Sequence, residues 1–233
     1  MKNKRFLWIM IFCVILITLT ACSSSNNSTS NVFTAISAGN LHTVALKNDG
    51  AVLAWGYNGY GELGDGTYTS RNTPVPLSVL GSSLLTNVIV ISAGGYHTAA
   101  LRNDGTVWDW GHNLDGELGD GTNTDRNIPV QVSNITGITA ISAGGVHTVA
   151  LKNDGTFWTW GNNDYGQLGD GTNTDRNIPV QVSGLTGITA ISAGGLHTLA
   201  LKNGGTVLAW GLNSYGQLGD GTTTDSYTPV QAK

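Results

Sequence analysis

The chain has 233 residues, of which only 11% are charged, while 33 are glycine and seven are tryptophan. Glycine occurs at about twice its ordinary frequency of about 7%, and an interior glycine costs a helix about 0.5–1 kcal/mol. The composition therefore favours short strands joined by tight turns. Both cysteines, Cys13 and Cys22, lie near the N-terminus, which excludes a disulfide framework in the body of the chain.

The N-terminus has the layout of a bacterial export signal. Three basic residues among the first five precede an apolar run over residues 6–20, which is shorter than the about 20 residues that span a bilayer. The run ends in Leu-Thr-Ala-Cys at 19–22, which resembles a lipobox. We expect a lipoprotein signal peptide at 1–21 and lipidation of Cys22. An ordinary secretory signal with an incidental cysteine is the alternative.

A Ser/Asn-rich stretch at residues 22–31 is typical of a flexible tether that holds a folded domain away from a bilayer. We expect an exported protein, anchored by its N-terminal lipid alone to the outer face of the cell membrane or to the outer membrane. Cleavage removes three of the 11 basic residues, which leaves eight against 15 acidic residues and a net charge of −7. A surface of that sign repels phosphate backbones, which argues against nucleic-acid binding.

The remainder of the chain, residues 32–233, repeats one unit four times. The tetrapeptide Ile-Ser-Ala-Gly begins at positions 36, 91, 141 and 191, and His-Thr follows at a fixed distance. Each unit continues with an apolar segment, an Asn-Asp/Gly-Gly turn, a segment ending in Trp-Gly, a Gly-Glu/Gln-Leu-Gly-Asp-Gly-Thr loop and a closing Pro-Val. Such repetition is typical of propellers and solenoids. We place the unit boundaries at about 32–87, 88–137, 138–187 and 188–233.

Within each unit the apolar residues alternate with a period of two, which indicates strands rather than helices. In the third unit the segments 139–143, 147–151 and 156–160 follow this pattern. Asn153-Asp154-Gly155 supplies the left-handed positions that a tight hairpin turn requires. A fourth, short strand is predicted at 179–182. Four strands in about 50 residues correspond to one propeller blade.

The motifs Ala-Gly-x-x-His-Thr, Ala-Leu-Lys-Asn-Asp-Gly-Thr-Val and Trp-Gly-x-Asn-x-x-Gly-Gln-Leu-Gly resemble the regulator of chromosome condensation repeat over residues 32–231. The resemblance implies an all-β fold, a β-propeller of four blades. Members of this family typically form seven blades, so four could stay an open arc, close by self-association or tighten into a small ring. We expect an open or incomplete ring whose exposed strand edges are sites of self-association.

Histidines and loop acids are the candidates for metal binding. The repeated histidines, His42, His97, His147 and His197, could converge on a propeller axis. A histidine at a fixed place in every unit is better explained by hydrogen bonds between a strand and a neighbouring loop. The Gly-Asp-Gly-Thr loops lack the ligand order of a calcium loop, whereas Asp and Asn beside Gly suit turns. We therefore expect neither a metal nor a cofactor.

The sequence contains no nucleophile elbow, no phosphate-cradling loop and no Cys/His pair. We therefore expect no catalytic residues and no enzymatic activity. A protein partner is instead expected at positions that differ between units, because such positions are not needed to maintain the fold. Aromatic, aliphatic and acidic side chains there favour protein contacts. The predicted partner-binding residues are Leu41, Tyr57, Tyr60, Tyr96, His112, Leu114, Asp115, Val146, Asn162, Asp164, Tyr165, Leu196, Leu212 and Tyr215.

The leading functional hypothesis is a non-enzymatic, envelope-anchored module that binds a protein outside the cytoplasm through its propeller face. Three alternatives stay open. The first is an envelope glycan bound on tyrosine and tryptophan side chains. The second is a β-lactamase or cell-wall enzyme, since an exported bacterial member of the resembled family inhibits β-lactamases. The third is a structural or adhesive repeat that self-associates. Family members share the ring and not a reaction, so the fold does not choose among them.

Overall fold

Sixteen β-strands make up the regular secondary structure of the protein over residues 32–78 and 85–233, the part that the computed structural model describes. The expected signal peptide at 1–21, the lipid site Cys22 and the whole tether at 22–31 lie outside these residues. Within the described ranges, no helix has the length and apolarity needed to cross a membrane.

The strands form four antiparallel sheets, each built from four consecutive strands in chain order. The first sheet contains β1 (Phe33–Ala38), β2 (His42–Lys47), β3 (Val52–Gly56) and β4 (Arg71–Pro76). The second contains β5 (Val88–Ala93), β6 (His97–Arg102), β7 (Val107–Gly111) and β8 (Arg126–Gln131). The third contains β9 (Ile138–Ala143), β10 (His147–Lys152), β11 (Phe157–Gly161) and β12 (Arg176–Gln181). The fourth contains β13 (Ile188–Ala193), β14 (His197–Lys202), β15 (Val207–Gly211) and β16 (Ser226–Gln231). The prediction of an all-β propeller of four blades is confirmed.

The hairpin between the second and third strands of each unit follows from its turn residues. In the third unit Gly155 has a φ of +80°, a left-handed conformation that a Cβ would strain. The turn closes with Gly155 N donating to Lys152 O at 2.9 Å and Lys152 N donating to Thr156 O at 2.9 Å. The strands on either side then pair without interruption from His147 opposite Gly161 to Leu151 opposite Phe157.

The outermost strand of the third unit is longer than the segment predicted at 179–182. It begins at Arg176 and ends at Gln181, so Pro179 lies inside it. Pairing with β11 is irregular between Thr159 and Gly161. A proline is tolerated here because β12 has no further strand to which its backbone must donate.

Neighbouring sheets pack face to face, and a hydrogen-bond relay crosses each interface. Between the third and fourth units, His147 Nε2 lies 2.8 Å from Thr198 Oγ1, and that hydroxyl donates to the Gln167 carbonyl at 2.7 Å. Because the hydroxyl has one hydrogen and gives it to the carbonyl, it accepts from the histidine, which fixes the neutral Nε2–H tautomer. The Trp210 indole donates to the same carbonyl at 2.9 Å.

The same relay occurs at the other two interfaces. At the first interface His42 Nε2 lies 2.9 Å from Thr98 Oγ1, which donates to the Glu62 carbonyl at 3.0 Å. At the second interface His97 Nε2 lies 2.8 Å from Thr148 Oγ1, which donates to the Glu117 carbonyl at 3.1 Å. All three relay histidines are buried, and burial is the main cause that lowers their pKa, to about 4 for His42 and His97 and about 3 for His147. The prediction that the repeated histidines are structural agrees with this geometry.

Three apolar clusters fill the spaces between successive sheets. In the first, Leu46 and Val52 of the first unit pack with Ile91 and Trp110 of the second. We call the side of a unit that bears Ile91 and Trp110, or their equivalents, its leading face. The side that bears Leu46 and Val52, or their equivalents, is its trailing face. Each interior interface joins one trailing face to the next leading face.

The four sheets do not close a ring, as predicted. Contacts join the first sheet to the second, the second to the third and the third to the fourth. Ile36 on the first leading face is 78% exposed, whereas its equivalents Ile91 and Ile141 are each 8% exposed. Because the sheets stack face to face, the surfaces left open at the two ends are sheet faces, where the sequence had suggested strand edges.

Asp109 is an unusual residue within this framework. It is fully buried between the second and third sheets, where other units carry Ala54, Thr159 and Ala209. Its Oδ2 accepts from the Trp160 indole at 3.2 Å, while Oδ1 has no hydrogen-bond partner among the described residues. Burial raises the pKa of Asp109 well above its ordinary value.

The low pKa of His147 predicts a loss of stability in acid. An unfolded imidazole takes up a proton near pH 6.5, whereas the folded one stays neutral to about pH 3. The unfolded state therefore binds more protons in this window, so the free energy of unfolding falls as pH drops from about 6.5. We expect H147Q to be less stable at pH 7 and to show a shallower decline in urea titrations between pH 7 and pH 4.5.

The matched control for this prediction is H197Q. His197 is the equivalent histidine in the fourth unit, where it bonds to no other unit of the described chain, and it is only half-buried. Its replacement should flatten the acid decline less than H147Q does. Parallel declines in the wild type and H147Q would contradict the assignment.

Asp109→Ala is expected to stabilise the protein at neutral pH. The raised pKa of Asp109 means that its contribution to stability is present below pH 3.8 and is lost as pH rises. Alanine, found at two equivalent positions, removes a buried oxygen whose lack of a partner costs about 1–3 kcal/mol. The Trp160 indole loses its acceptor, but the equivalent Trp110 indole donates to the Glu62 carbonyl, and the Glu117 carbonyl is the corresponding acceptor for Trp160. The gain in free energy of unfolding should be larger at pH 8 than at pH 4. Thr159→Ala, at the same position in the third unit, should show no such pH dependence.

Candidate protein-binding rim

The loops that join the first strand to the second and the third to the fourth emerge at the same end of each sheet, because all pairs are antiparallel. We call this surface the loop rim. It comprises residues 39–41, 57–70, 94–96, 112–125, 144–146, 162–175, 194–196 and 212–225. All 14 predicted partner-binding residues lie on the loop rim.

A buried asparagine holds the long loop of each unit in place. In the third unit Asn163 Nδ2 donates to the carbonyls of Thr172 at 3.0 Å and Thr174 at 3.1 Å, and Oδ1 accepts from Leu168 N at 3.0 Å. Equivalent bonds are made by Asn58, Asn113 and Asn213. One side chain thus ties three points of the loop together, which gives the rim a defined shape.

The loop aspartates act as turn acceptors. Asp170 Oδ1 accepts from Thr172 N at 2.9 Å and from Thr172 Oγ1 at 2.7 Å. Its Oδ2 accepts two bonds from Arg176, at 2.9 and 2.8 Å. Among the described residues, no group of three or more His, Cys, Asp or Glu side chains is arranged to hold a metal ion.

Four rings from the first two units form an aromatic cluster on the rim: Tyr57, Tyr60, Tyr96 and His112. Tyr60 is at the centre, with ring centroids 6.2 Å from Tyr57, 5.8 Å from Tyr96 and 4.8 Å from His112. All three contacts are edge-on, a favourable arrangement for aromatic pairs. Tyr57 is exposed, and the other three are partly exposed. The cluster therefore presents ring edges and faces from two blades to solvent.

An ion pair supports one side of the aromatic cluster. His112 Nδ1 lies 2.7 Å from Glu117 Oε1, and the Glu117 side chain is buried. The hydrogen bond to Glu117 is the main cause that raises the pKa of His112. Burial opposes ionisation of Glu117, but the bond from His112, a backbone hydrogen bond and the charges of His97 and His112 together outweigh it, so the pKa of this carboxyl is lowered.

Glu62 occupies the same position in the first unit, where Tyr57 replaces the histidine. Its Oε2 accepts from Tyr60 N at 2.9 Å, while its Oε1 has no hydrogen-bond partner in the described part of the chain. Burial raises the pKa of this carboxyl. Glu62 and Glu117 were not among the predicted site residues, although this position is Glu in the first two units and Gln in the last two.

An acidic group lies beside the aromatic cluster, formed by Asp115 and Asp164 around Asn162. Asn162 Nδ2 donates to Asp115 Oδ2 and to Asp164 Oδ2, each at 3.2 Å, and its Oδ1 accepts from Gln167 at 2.5 Å. Burial, followed by the charge of Glu117, raises the pKa of Asp115. Asn162 is itself buried, so it positions the two carboxylates and is not a contact residue.

The structure brings only some of the predicted residues together. The aromatic cluster and the acidic group join units one to three, whereas Tyr215 is 93% exposed and has no ring contact within the described ranges. Leu41, Leu114 and Tyr165 are exposed singly. The partly buried residues are Val146, Leu196 and Leu212.

Comparison with known proteins places these features in a family. The model of the RCC1-like domain matches residues 18–233. The ultraviolet-B receptor UVR8 of Arabidopsis thaliana is 37% identical over 97 residues, 42% of this chain and 21% of the receptor. The probable E3 ubiquitin-protein ligase HERC3 of Homo sapiens is 39% identical over 98 residues, 42% of this chain and 9% of the ligase.

Solved structures give the same fold. Human WBSCR16 superposes with a TM-score of 0.78 at 26% identity, over 91% of this chain and 55% of that chain. The structure of Kap60 bound to yeast RCC1 (Prp20) gives 0.75 at 22% identity, over 89% and 50%. Prp20p from Saccharomyces cerevisiae, described with its binding properties to Gsp1p and histones, gives 0.74 at 23% identity, over 88% and 51%.

The chain spans about half the length of these solved structures and less than a quarter of the curated relatives named above. Four tandem units, a shared strand order and a family match over nearly the whole described chain lead to one conclusion. This chain belongs to the RCC1-like domain family.

Proposed function

We propose that this chain is a non-enzymatic binding module, anchored in the cell envelope through Cys22, which binds a protein partner on its loop rim. The contact is centred on the aromatic cluster and the neighbouring acidic group. The observation that carries the proposal is the position of Tyr60, whose ring contacts three other rings from two blades.

Rigid, partly exposed aromatic side chains supply large contact areas at low entropic cost, and they dominate the energetics of protein interfaces. The loops that carry them are held by buried asparagines, so little ordering is required on binding. Tyr60 and His112, which lie on two of these loops, thus belong to a preorganised surface.

The charge around the cluster favours a partner with a basic segment. Asp115 lies close to His112, and Asp164 is held next to Asp115 by the Asn162 side-chain amide. A lysine or arginine side chain can contact a tyrosine face and a carboxylate at once. The exported portion carries a net charge of −7, which steers a basic partner towards it.

Tyr60→Ala is expected to abolish partner capture. Envelope extract would be passed over the immobilised protein and the bound proteins identified by mass spectrometry. Loss of the central ring should weaken binding at least about tenfold, equivalent to about 1.4 kcal/mol. Tyr215→Ala is the matched control, because Tyr215 occupies the same position in the fourth unit without ring contacts. Its capture should equal that of the wild type.

A partner retained equally by both variants would contradict the assignment of the site. A glycan array run in parallel separates the envelope-glycan alternative, which predicts array signals lost in Tyr60→Ala and no captured protein. Recovery of a β-lactamase or a cell-wall enzyme among the captured proteins would support the inhibitor-like alternative.

The anchoring part of the proposal depends on a single residue. Cys22→Ser should lose the lipid-modified N-terminal peptide, because lipidation requires the thiol. Cys13→Ser, within the apolar run, is the control and should keep the modified peptide and stay in the membrane fraction. Fractionation and immunoblotting followed by mass analysis of the N-terminal peptide measure the outcome. A wild-type chain whose N-terminal peptide carries no lipid would refute the lipid anchor.

A further inference from the structure

The two ends of the sheet stack keep the residue types of an interior interface without a neighbouring unit. On the fourth trailing face, Leu201 is 38% and Val207 is 39% exposed. Their equivalents Leu101 and Val107 are 0% and 1% exposed. On the first leading face, Ile36 is exposed in the same way. These apolar side chains lie where the other units have core.

The fourth trailing face carries an apolar depression. It lies where the other trailing faces contact the leading face of the next unit. It has a volume of about 230 Å³ and is lined by Ala190, Leu199, Leu201 and Val207, among others. At the preceding interface, Phe157 occupies the position of Val207 and its ring lies 5.2 Å from that of Trp210. The residue equivalent to Trp210 on the first leading face is Trp55, which is only partly buried. Trp55 is therefore the residue type that packs on the equivalent surface at the preceding interface.

The polar groups at the two ends are complementary as well. His197 Nε2 on the trailing end makes no bond across an interface in the described structure, and it is equivalent to the relay donor His147. Thr43 on the leading end is equivalent to the relay acceptor Thr198. The Ser142 hydroxyl accepts from Ala193 N at 3.0 Å in the interior, and Ser192 and Ala38 are the equivalents at the two ends. Each half of a fourth relay is thus present on the same chain.

We propose that two copies of this chain close an eight-bladed propeller. The fourth trailing face of each copy packs on the first leading face of the other, so both new interfaces repeat the three interior ones. A second copy is the occupant that the residues specify, because the relay, the serine bond and the tryptophan contact all find their partners on it. Closure at eight blades instead of the seven typical of the family requires a slightly smaller rotation between successive sheets, and eight lies within the range of roughly four to eight blades that propellers adopt.

The closed pair has a two-fold axis and leaves no uncovered face, so assembly stops at two chains. It also presents two aromatic clusters on one rim. A partner with two basic segments would therefore bind with a higher avidity than a single copy allows.

Native mass spectrometry of the full chain in detergent tests the assembly. The expected result is a two-chain species at roughly 10 µM. Ile36→Lys alters the leading end and Leu201→Glu the trailing end. Since both residues are exposed, each variant should keep the wild-type circular dichroism spectrum while becoming a single chain. Val207→Glu is a second trailing-end variant should Leu201→Glu fail to fold.

Mixing the two variants distinguishes head-to-tail closure from other modes. A pair of one Ile36→Lys chain and one Leu201→Glu chain has one native interface and one with opposite charges, so a two-chain species should return only in the mixture. Ile178→Glu, on an exposed outer strand, is the control and should remain a two-chain species. A wild-type single chain, a variant that pairs with itself, or open-ended larger assemblies would each overturn the proposal.

Discussion

The hydrogen-bond relay from histidine through threonine to a loop carbonyl is the interaction on which the rest of the structure depends. The relay between the third and fourth units joins His147 and the Gln167 carbonyl of the third unit through Thr198 of the fourth. These groups are buried, so each bond is made away from competing water. Burial disfavours a charge on the imidazole and lowers its pKa, so the relay histidine is neutral and donates through its Nε2–H. Sheet packing and histidine protonation are therefore coupled.

The same relay connects the core to the binding surface. The carbonyls that end each relay, those of Glu62, Glu117 and Gln167, belong to the long loops of the loop rim. The Glu62 side chain accepts a bond from Tyr60 N, and the Glu117 side chain pairs with His112. Backbone atoms at these positions hold successive units together, while the side chains differ between units and shape the rim. This division explains how four nearly identical units carry one local cluster.

Differences between units have a cost where they enter the core. Asp109 replaces a small neutral residue and is held with one unpaired oxygen, against the pattern of its equivalents. The ends show the converse situation, because Ile36 and Leu201 keep core residue types while lying in solvent. Both cases indicate that the units follow a common template, and that the surroundings decide whether a residue stabilises the fold.

Periodicity, turn residues and fixed spacing are local properties of a sequence. They were therefore enough to predict the strand content, the four-unit organisation and the structural role of the repeated histidines. The strand that contains Pro179 was predicted too short. It begins at Arg176 because that residue pairs with Gly161 of the neighbouring strand β11. Only the tertiary structure decided which rim residues meet. Tyr60, Tyr96 and His112 are far apart in the chain and adjacent in space, while Tyr215, at the position of Tyr60, stands alone. Adjacency between blades arises from face-to-face packing, which no single repeat encodes.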